Sequence, residues 1–119
     1  MKVGSFMLNL TSEDAERLKK FYRDTVELTA NPAYGDGAFD LTPGAVIAID
    51  GHSDTHGLAK EPQRALINFM VDDLRAEQKR LKGKGVQFIR EEGKEEWGGI
   101  ISTFLDPDGN YCQLVEYKP

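Results

Sequence analysis

Asp50, His52, Asp54 and His56 alternate along one short stretch and offer carboxylate and imidazole, donor types that divalent cations take. They sit in or beside a segment, Gly51 to Gln63, that is rich in Gly, Pro and acids and has no apolar period. Without a rigid element to fix coordination geometry, the set reads as a solvated loop, which leaves His52 and His56 to gate or touch a ligand. Cys112 alternates with Gln113 and falls beside Leu114, so a buried, inert thiol is expected rather than a nucleophile. The amides of Asn9, Asn68 and Gln113 can hydrogen-bond a ligand, each other or water. Tyr34, Phe39, Tyr111 and Trp97 offer flat apolar surface, shared between core packing and pocket lining. Trp97 follows the charged run Glu91-Glu92-Gly93-Lys94-Glu95-Glu96, which reads as a mobile, solvated hairpin able to act as a lid. No Ser-His-Asp arrangement, phosphate-cradling glycine loop or cysteine pair is present.

These residues need elements to hold them, and the chain offers the same order of elements twice. Val3 to Leu10 alternates with period two and predicts a strand, with Phe6, Leu8 and Leu10 on one face and Met7 and Asn9 on the other. Thr11 to Asp14 supplies caps and early acids, and Ala15, Leu18, Phe21 and Tyr22 recur at helical spacing to about Arg23. Short strands follow at Leu28 to Ala30, Ala38 to Leu41 and Ala45 to Asp50, separated by Asn31-Pro32, Gly35-Asp36-Gly37 and Pro43-Gly44. After the loop at 51–63 the order restarts. Arg64 to Val71 predicts a strand, and Asp72 caps a helix carrying Leu74, Gln78 and Leu81 that stops at Gly83-Lys84-Gly85. Strands at Val86 to Arg90, Ile100 to Leu105 and Tyr111 to Tyr117 complete it, the last two joined by Asp106-Pro107-Asp108-Gly109-Asn110. Met-Leu-Asn-Leu at 7–10 with Asp14 answers Leu-Ile-Asn-Phe at 66–69 with Asp73, at constant offset. The expected organisation is one domain over 1–119, with modules at about 1–50 and 64–119.

Composition agrees with a small globular fold. The 119 residues suffice for one domain, and a 39% hydrophobic share is too high for a disordered chain. Net charge is −5 with the basic residues scattered among acids, which argues against nucleic acid and anionic membranes as partners. A single cysteine excludes an intrachain disulfide and a cysteine zinc cluster. With no long apolar run or leader pattern, a cytoplasmic location is expected.

Ser12-Glu13-Asp14 leading to Phe21-Tyr22-Arg23-Asp24, then Val71-Asp72-Asp73-Leu74, Trp97-Gly98-Gly99 and Phe104-Leu105-Asp106-Pro107-Asp108-Gly109-Asn110, resembles the vicinal-oxygen-chelate superfamily of glyoxalases, bleomycin-resistance proteins and extradiol dioxygenases. The resemblance spans nearly the whole chain. It implies an α+β fold of two tandem βαβββ modules forming a curved mixed sheet, with helices on the convex side and ligand in the concave cup. On that frame Phe6, Leu8 and Leu10, the larger apolar set beside an amphipathic helix, pack against it and leave Met7 and Asn9 for the cup. Leu66, Asn68, Met70, Tyr111, Gln113, Val115 and Tyr117 also face the cup, while Ile67, Phe69 and Val71 lie behind. Metal-using members carry His, Gln or Glu at four points that map here onto Met7, Ala48, Leu66 and Gln113. Alanine and leucine offer no ligand atom, methionine only a soft thioether, and glutamine a weak neutral donor, so neither a metal nor another cofactor is expected. Glu116, the nearby carboxylate, falls on the face opposite Gln113.

The expected function is metal-independent binding of a small amphipathic or aromatic molecule by a homodimer, similar to the drug-sequestering bleomycin-resistance branch. Met7, Asn9, Ala48, Leu66, Asn68, Met70, Trp97, Tyr111 and Gln113 are the expected contacts, with no catalytic residue assigned. The alternatives are a lyase, isomerase or oxidoreductase of the glyoxalase or dioxygenase kind with a relocated metal site, and a protein-interaction module on the same scaffold.

Overall fold

A computed structural model describes all residues, 1–119, and the chain divides into two compact units, Met1–Gly57 and Leu58–Pro119. The fold is α+β, with eight strands in two four-stranded mixed sheets.

In the first unit β1 (Phe6–Ser12) leads to α1 (Ala15–Lys20), whose last turn widens into a π-type turn over Phe21–Thr25. The strand is shifted toward the C-terminus of the expected one: Met1–Ser5 is outside it and Thr11 and Ser12 belong to it, not to the helix cap. Asp14 is the cap, its carboxylate accepting from Arg17 N at 3.1 Å, while Ser12 Oγ accepts from Asp14 N at 3.0 Å. Strands β2 (Thr29–Ala30), β3 (Ala38–Thr42) and β4 (Ala45–Gly51) complete a sheet of order β1-β4-β3-β2, with β1 parallel to β4 and the other pairs antiparallel.

Register partners in a sheet point to the same face, and the pairings sort this one cleanly. Leu8 pairs with Ile47, Leu10 with Ile49, and Phe39 with Ile47. Ile47 and Ile49 are fully buried, as are Leu18 and Tyr22 on the helical segment. This is the core face. Each such aliphatic side chain contributes on the order of 1.5–3 kcal/mol by leaving water. Phe6 departs from the expected pattern: it is 60% exposed. It is the first residue of β1, at the end of the strand, and stays uncovered while Leu8 and Leu10 further along are half-buried.

The second unit repeats the plan. A 3₁₀ turn over Pro62–Arg64 precedes β5 (Ile67–Met70), so the strand is shorter than expected and Leu66 lies just before it. Helix α2 (Leu74–Gly83) is capped by Asp73, not Asp72: the Asp73 carboxylate accepts from Ala76 N at 3.1 Å. Its inward stripe, Leu74, Gln78 and Leu81, is buried at the spacing of a helical face. The chain turns away through Gly85 at φ +83°.

Next come β6 (Phe88–Lys94), β7 (Ile100–Leu105) and β8 (Tyr111–Glu116), in a sheet of order β5-β8-β7-β6. Most of the acidic run expected in a solvated hairpin is strand: Glu91 to Lys94 belong to β6, and Glu92 N donates to the buried Gln78 Oε1 at 3.0 Å. Cys112 and Phe104 are fully buried on the helix side, where Phe104 stacks on Phe69 at 6.4 Å and meets Phe88 at 5.5 Å.

Candidate functional site

The face of each sheet turned away from its helix holds the polar and apolar groups that the sequence singles out. In the first unit Met7, Val46 and Asp40 form one row across β1, β4 and β3, and Asn9, Ala48 and Ala38 form the next. Met7 is 45% exposed and Asn9 is exposed, whereas Ala48 and Ala38 are buried. Met7 and Asn9 stand on an edge strand, which leaves one side of their backbone without a partner in this sheet. At the Met7 end lies a cleft of about 160 Å³ lined by Phe6, Met7, Asn31, Tyr34, Asp40 and Val46 together with Ser5 and Gly44.

The corresponding rows of the second unit are Asn68, Gln113 and Thr103, then Met70, Val115 and Ile101. Gln113 Nε2 donates to Thr103 Oγ1 at 3.0 Å, which fixes the amide and turns its oxygen away from that bond. Asn68 is exposed and Met70 is 68% exposed, again on an edge strand. Leu66, ahead of β5, is 45% exposed, and Tyr111 is half-buried beside Leu105. Trp97 sits on the turn between β6 and β7 and meets Tyr117 edge to face, ring centroids 5.3 Å apart. A Cβ on Gly99 would lie 1.9 Å from the Trp97 ring, so that glycine lets the indole rest on the turn.

Of the four aromatics with a possible binding role, Phe39 is core at 3% exposure. Tyr34 and Trp97 are on the surface. Cys112 lies in the core. Glu116, on the opposite face from Gln113, accepts from Leu74 N at 3.0 Å and helps hold the start of α2.

The residues at the four expected ligand points do not suit a metal ion. Met7 pairs with Val46, Ala48 with Asn9 and Gln113 with Asn68, so their register neighbours add no imidazole or carboxylate. Gln113 is the lone oxygen donor among the four, and no three His, Cys, Asp or Glu side chains gather in a metal-holding arrangement anywhere in the structure. The alternating set that begins at Asp50 in β4 does not converge either. His52 Nδ1 accepts from Asp54 N at 3.0 Å, and His56 Nδ1 faces Glu13 at 3.8 Å, both at the surface.

The motif at 106–110 is structural. Asp106, nearly buried, accepts from Asp108 N, Asn110 N and Asn110 Nδ2 at 2.8–3.0 Å, and Gly109 at φ +78° closes the turn. Its carboxylate therefore organises the entry to β8 and the placement of Gln113.

Two features escaped the reading of the sequence: Thr103 as the partner of Gln113, and the Asn31–Asp40 pair at the first cleft. Asn31 Nδ2 donates to Asp40 Oδ1 at 2.8 Å, while Asn31 Oδ1 accepts from Ala33 N at 3.2 Å. The Asn31-Pro32 turn was visible as such, but nothing in its local pattern points to Asp40.

A sequence model described as Glyoxalase/Bleomycin resistance protein/Dioxygenase superfamily matches residues 3–114. The chain belongs to this superfamily. It is 28% identical over 109 residues to the uncharacterized protein YetH of Bacillus subtilis, covering 87% of this chain and 90% of that one. Among solved structures, a superfamily member from Sphaerobacter thermophilus superimposes with a TM-score of 0.73 at 21% identity, covering 95% of this chain and 96% of that one. A glyoxalase/bleomycin resistance protein/dioxygenase family enzyme from Burkholderia phytofirmans gives 0.75 at 16% identity, covering 98% of each chain. At these identities the structures support the fold alone. No helix of this superfamily member is long and apolar enough to cross a membrane.

Proposed function

We propose that the two units act as modules of one domain that binds a small amphipathic or aromatic molecule without a metal, in a homodimer in the cytoplasm. In this it resembles the drug-sequestering bleomycin-resistance branch. The observation that carries the reading is the chemistry of the two open sheet faces. Met7, Asn9, Asn68 and Met70 are exposed there, with Gln113 held by Thr103, a lining that is largely apolar and amide-dotted, with the Asp40 carboxylate in the Met7 row and no imidazole beside it. Such a lining suits desolvation and hydrogen bonding better than proton transfer. Leu66, Tyr111, Ala48 and Trp97 extend it. Exposed apolar side chains on edge strands also favour a second copy of the chain as a cover.

Native mass spectrometry of the purified protein, followed by a thermal-shift screen of amphipathic compounds, tests this reading. The expected result is a dimer without a stoichiometric transition metal, stabilised by some compounds that also change Trp97 fluorescence. Near one iron, nickel, zinc or manganese atom per chain, lost on replacing His52 and His56, would overturn the metal-free reading in favour of a relocated metal site. A screen without any stabilising compound would favour a protein-interaction module.

A further inference from the structure

The cleft of the first unit has a charge character of its own. Asp40 is the one charged residue among those that line it, and no Lys, Arg or His approaches from the walls. Asn31 clamps that carboxylate: its Nδ2 holds Asp40 Oδ1 while its Oδ1 is held by Ala33 N. Flipping the amide would break both bonds, so the sense of the Asn31 amide is settled, with Nδ2 toward the exposed Asp40 carboxylate. The remaining walls are aromatic, thioether and aliphatic at Phe6, Met7, Tyr34 and Val46, joined by Ser5 and Gly44, with Phe6 60% and Tyr34 59% exposed.

We propose that this cleft binds the head group of a small organic cation, a primary amine or quaternary ammonium carrying an aromatic or apolar tail. The inference rests on the binding function proposed above and names its ligand class. A carboxylate in a cleft that also holds two aromatic rings and a polarizable sulfur is an environment that attracts a weakly hydrated ammonium. An anion would meet Asp40 with no counter-charge. A divalent metal would find one carboxylate and no further anionic donor among the lining residues. At about 160 Å³ the cleft is smaller than the roughly 300 Å³ at which drug-sized sites begin, so it takes the head and leaves the tail on the open face. The net charge of −5 adds long-range attraction for a cation.

The test titrates the ¹⁵N-labelled full chain with benzyltrimethylammonium chloride, and separately with benzyl alcohol as the neutral counterpart, while amide shifts are followed by NMR. The cation is expected to move the Asn31 side-chain, Gly44 and Val46 signals with a Kd on the order of 1 mM, weakening as salt is added. Asp40→Asn keeps the shape and removes the charge, and should weaken binding at least about tenfold; Tyr34→Ala, at an exposed position, should weaken it several-fold. Equal binding by benzyl alcohol, or unchanged affinity in Asp40→Asn, would overturn the proposal. If the cation is silent while neutral amphipaths move Asn68 and Gln113, the cation site is wrong and the broader binding function stands. Silence towards every compound defeats both.

Discussion

Gln113 on β8 and Thr103 on β7 are register partners whose side chains bond directly, Nε2 to Oγ1 at 3.0 Å. Thr103 is only 4% exposed, so the bond replaces water that this hydroxyl cannot otherwise reach. Thr103→Val keeps the shape and removes the acceptor. It should cost about 0.5–1.5 kcal/mol in urea denaturation, with Thr103→Ser costing less. It should also change the affinity of any ligand that reads the Gln113 oxygen. An unaltered unfolding midpoint would show that the bond adds nothing in solution.

Adjacent acids precede α2, and the structure assigns the cap to the second. Asp73→Ala should destabilise the fold by about 1 kcal/mol, whereas Asp72→Ala should stay within about 0.5 kcal/mol of the parent. Equal effects of the two replacements in thermal or chemical unfolding would refute the assignment.

Gly37 and Gly35 both have positive φ, +93° and +98°, but only Gly37 is crowded. A Cβ there would lie 2.7 Å from the Ile49 carbonyl oxygen and 2.6 Å from Lys19 Cε. The Lys19 stem can move; the β4 backbone cannot without loss of its bond from Ile49 N to Gly37 O. Gly37→Ala is therefore expected to cost roughly 2–3 kcal/mol, against about 1 kcal/mol for Gly35→Ala, where only the conformational strain applies. Comparable unfolding midpoints for the two variants would contradict this.

Lys19 links α1 to the loop before β3 through Asp36 at 2.9 Å and pairs within α1 with Glu16 at 3.1 Å. Hydrogen bonding to Asp36, then to Glu16, raises the lysine above its ordinary 10.5, and hydrogen bonding to Lys19 lowers the Asp36 carboxyl below 3.8. A depressed carboxyl contributes stability above its unfolded value, lost as pH falls through the folded one. A raised lysine contributes below its unfolded value, lost as pH rises through the folded one. Asp36→Asn should thus lower the melting temperature slightly around neutral pH, with the difference from the parent vanishing once the pH has fallen through the lowered value of the Asp36 carboxyl. A difference that persists in acid would assign the effect to something other than this ion pair.

The repeated element order, the family and β7 were all legible in the sequence, because each rests on patterns that survive local variation. Asp14 and Asp73, matched by constant offset, both prove to be helix caps with the same bond three residues on. The length of β6 was not legible. Its pairing with β7 shifts register between Phe88 and Arg90 and again between Arg90 and Gly93, which destroys the period-two alternation that marks a strand. Phe6 was placed against the helix by alternation and apolar size, which carry no information about how far along the strand the cover reaches. The sequence showed Asn9, Asn68 and Gln113 as amides on strands, yet what holds or exposes each depends on cross-strand partners such as Thr103. Those partners follow from strand register, which hydrophobic periodicity does not supply.

Cys112 is the single cysteine and lies fully buried in a strand flanked by β5 and β7. A thiol reagent can reach it only when this part of the sheet opens, so labelling kinetics would act as a clock for that opening with no introduced probe. A bound molecule that slows the clock would reveal itself by protection alone, before its position or identity is known.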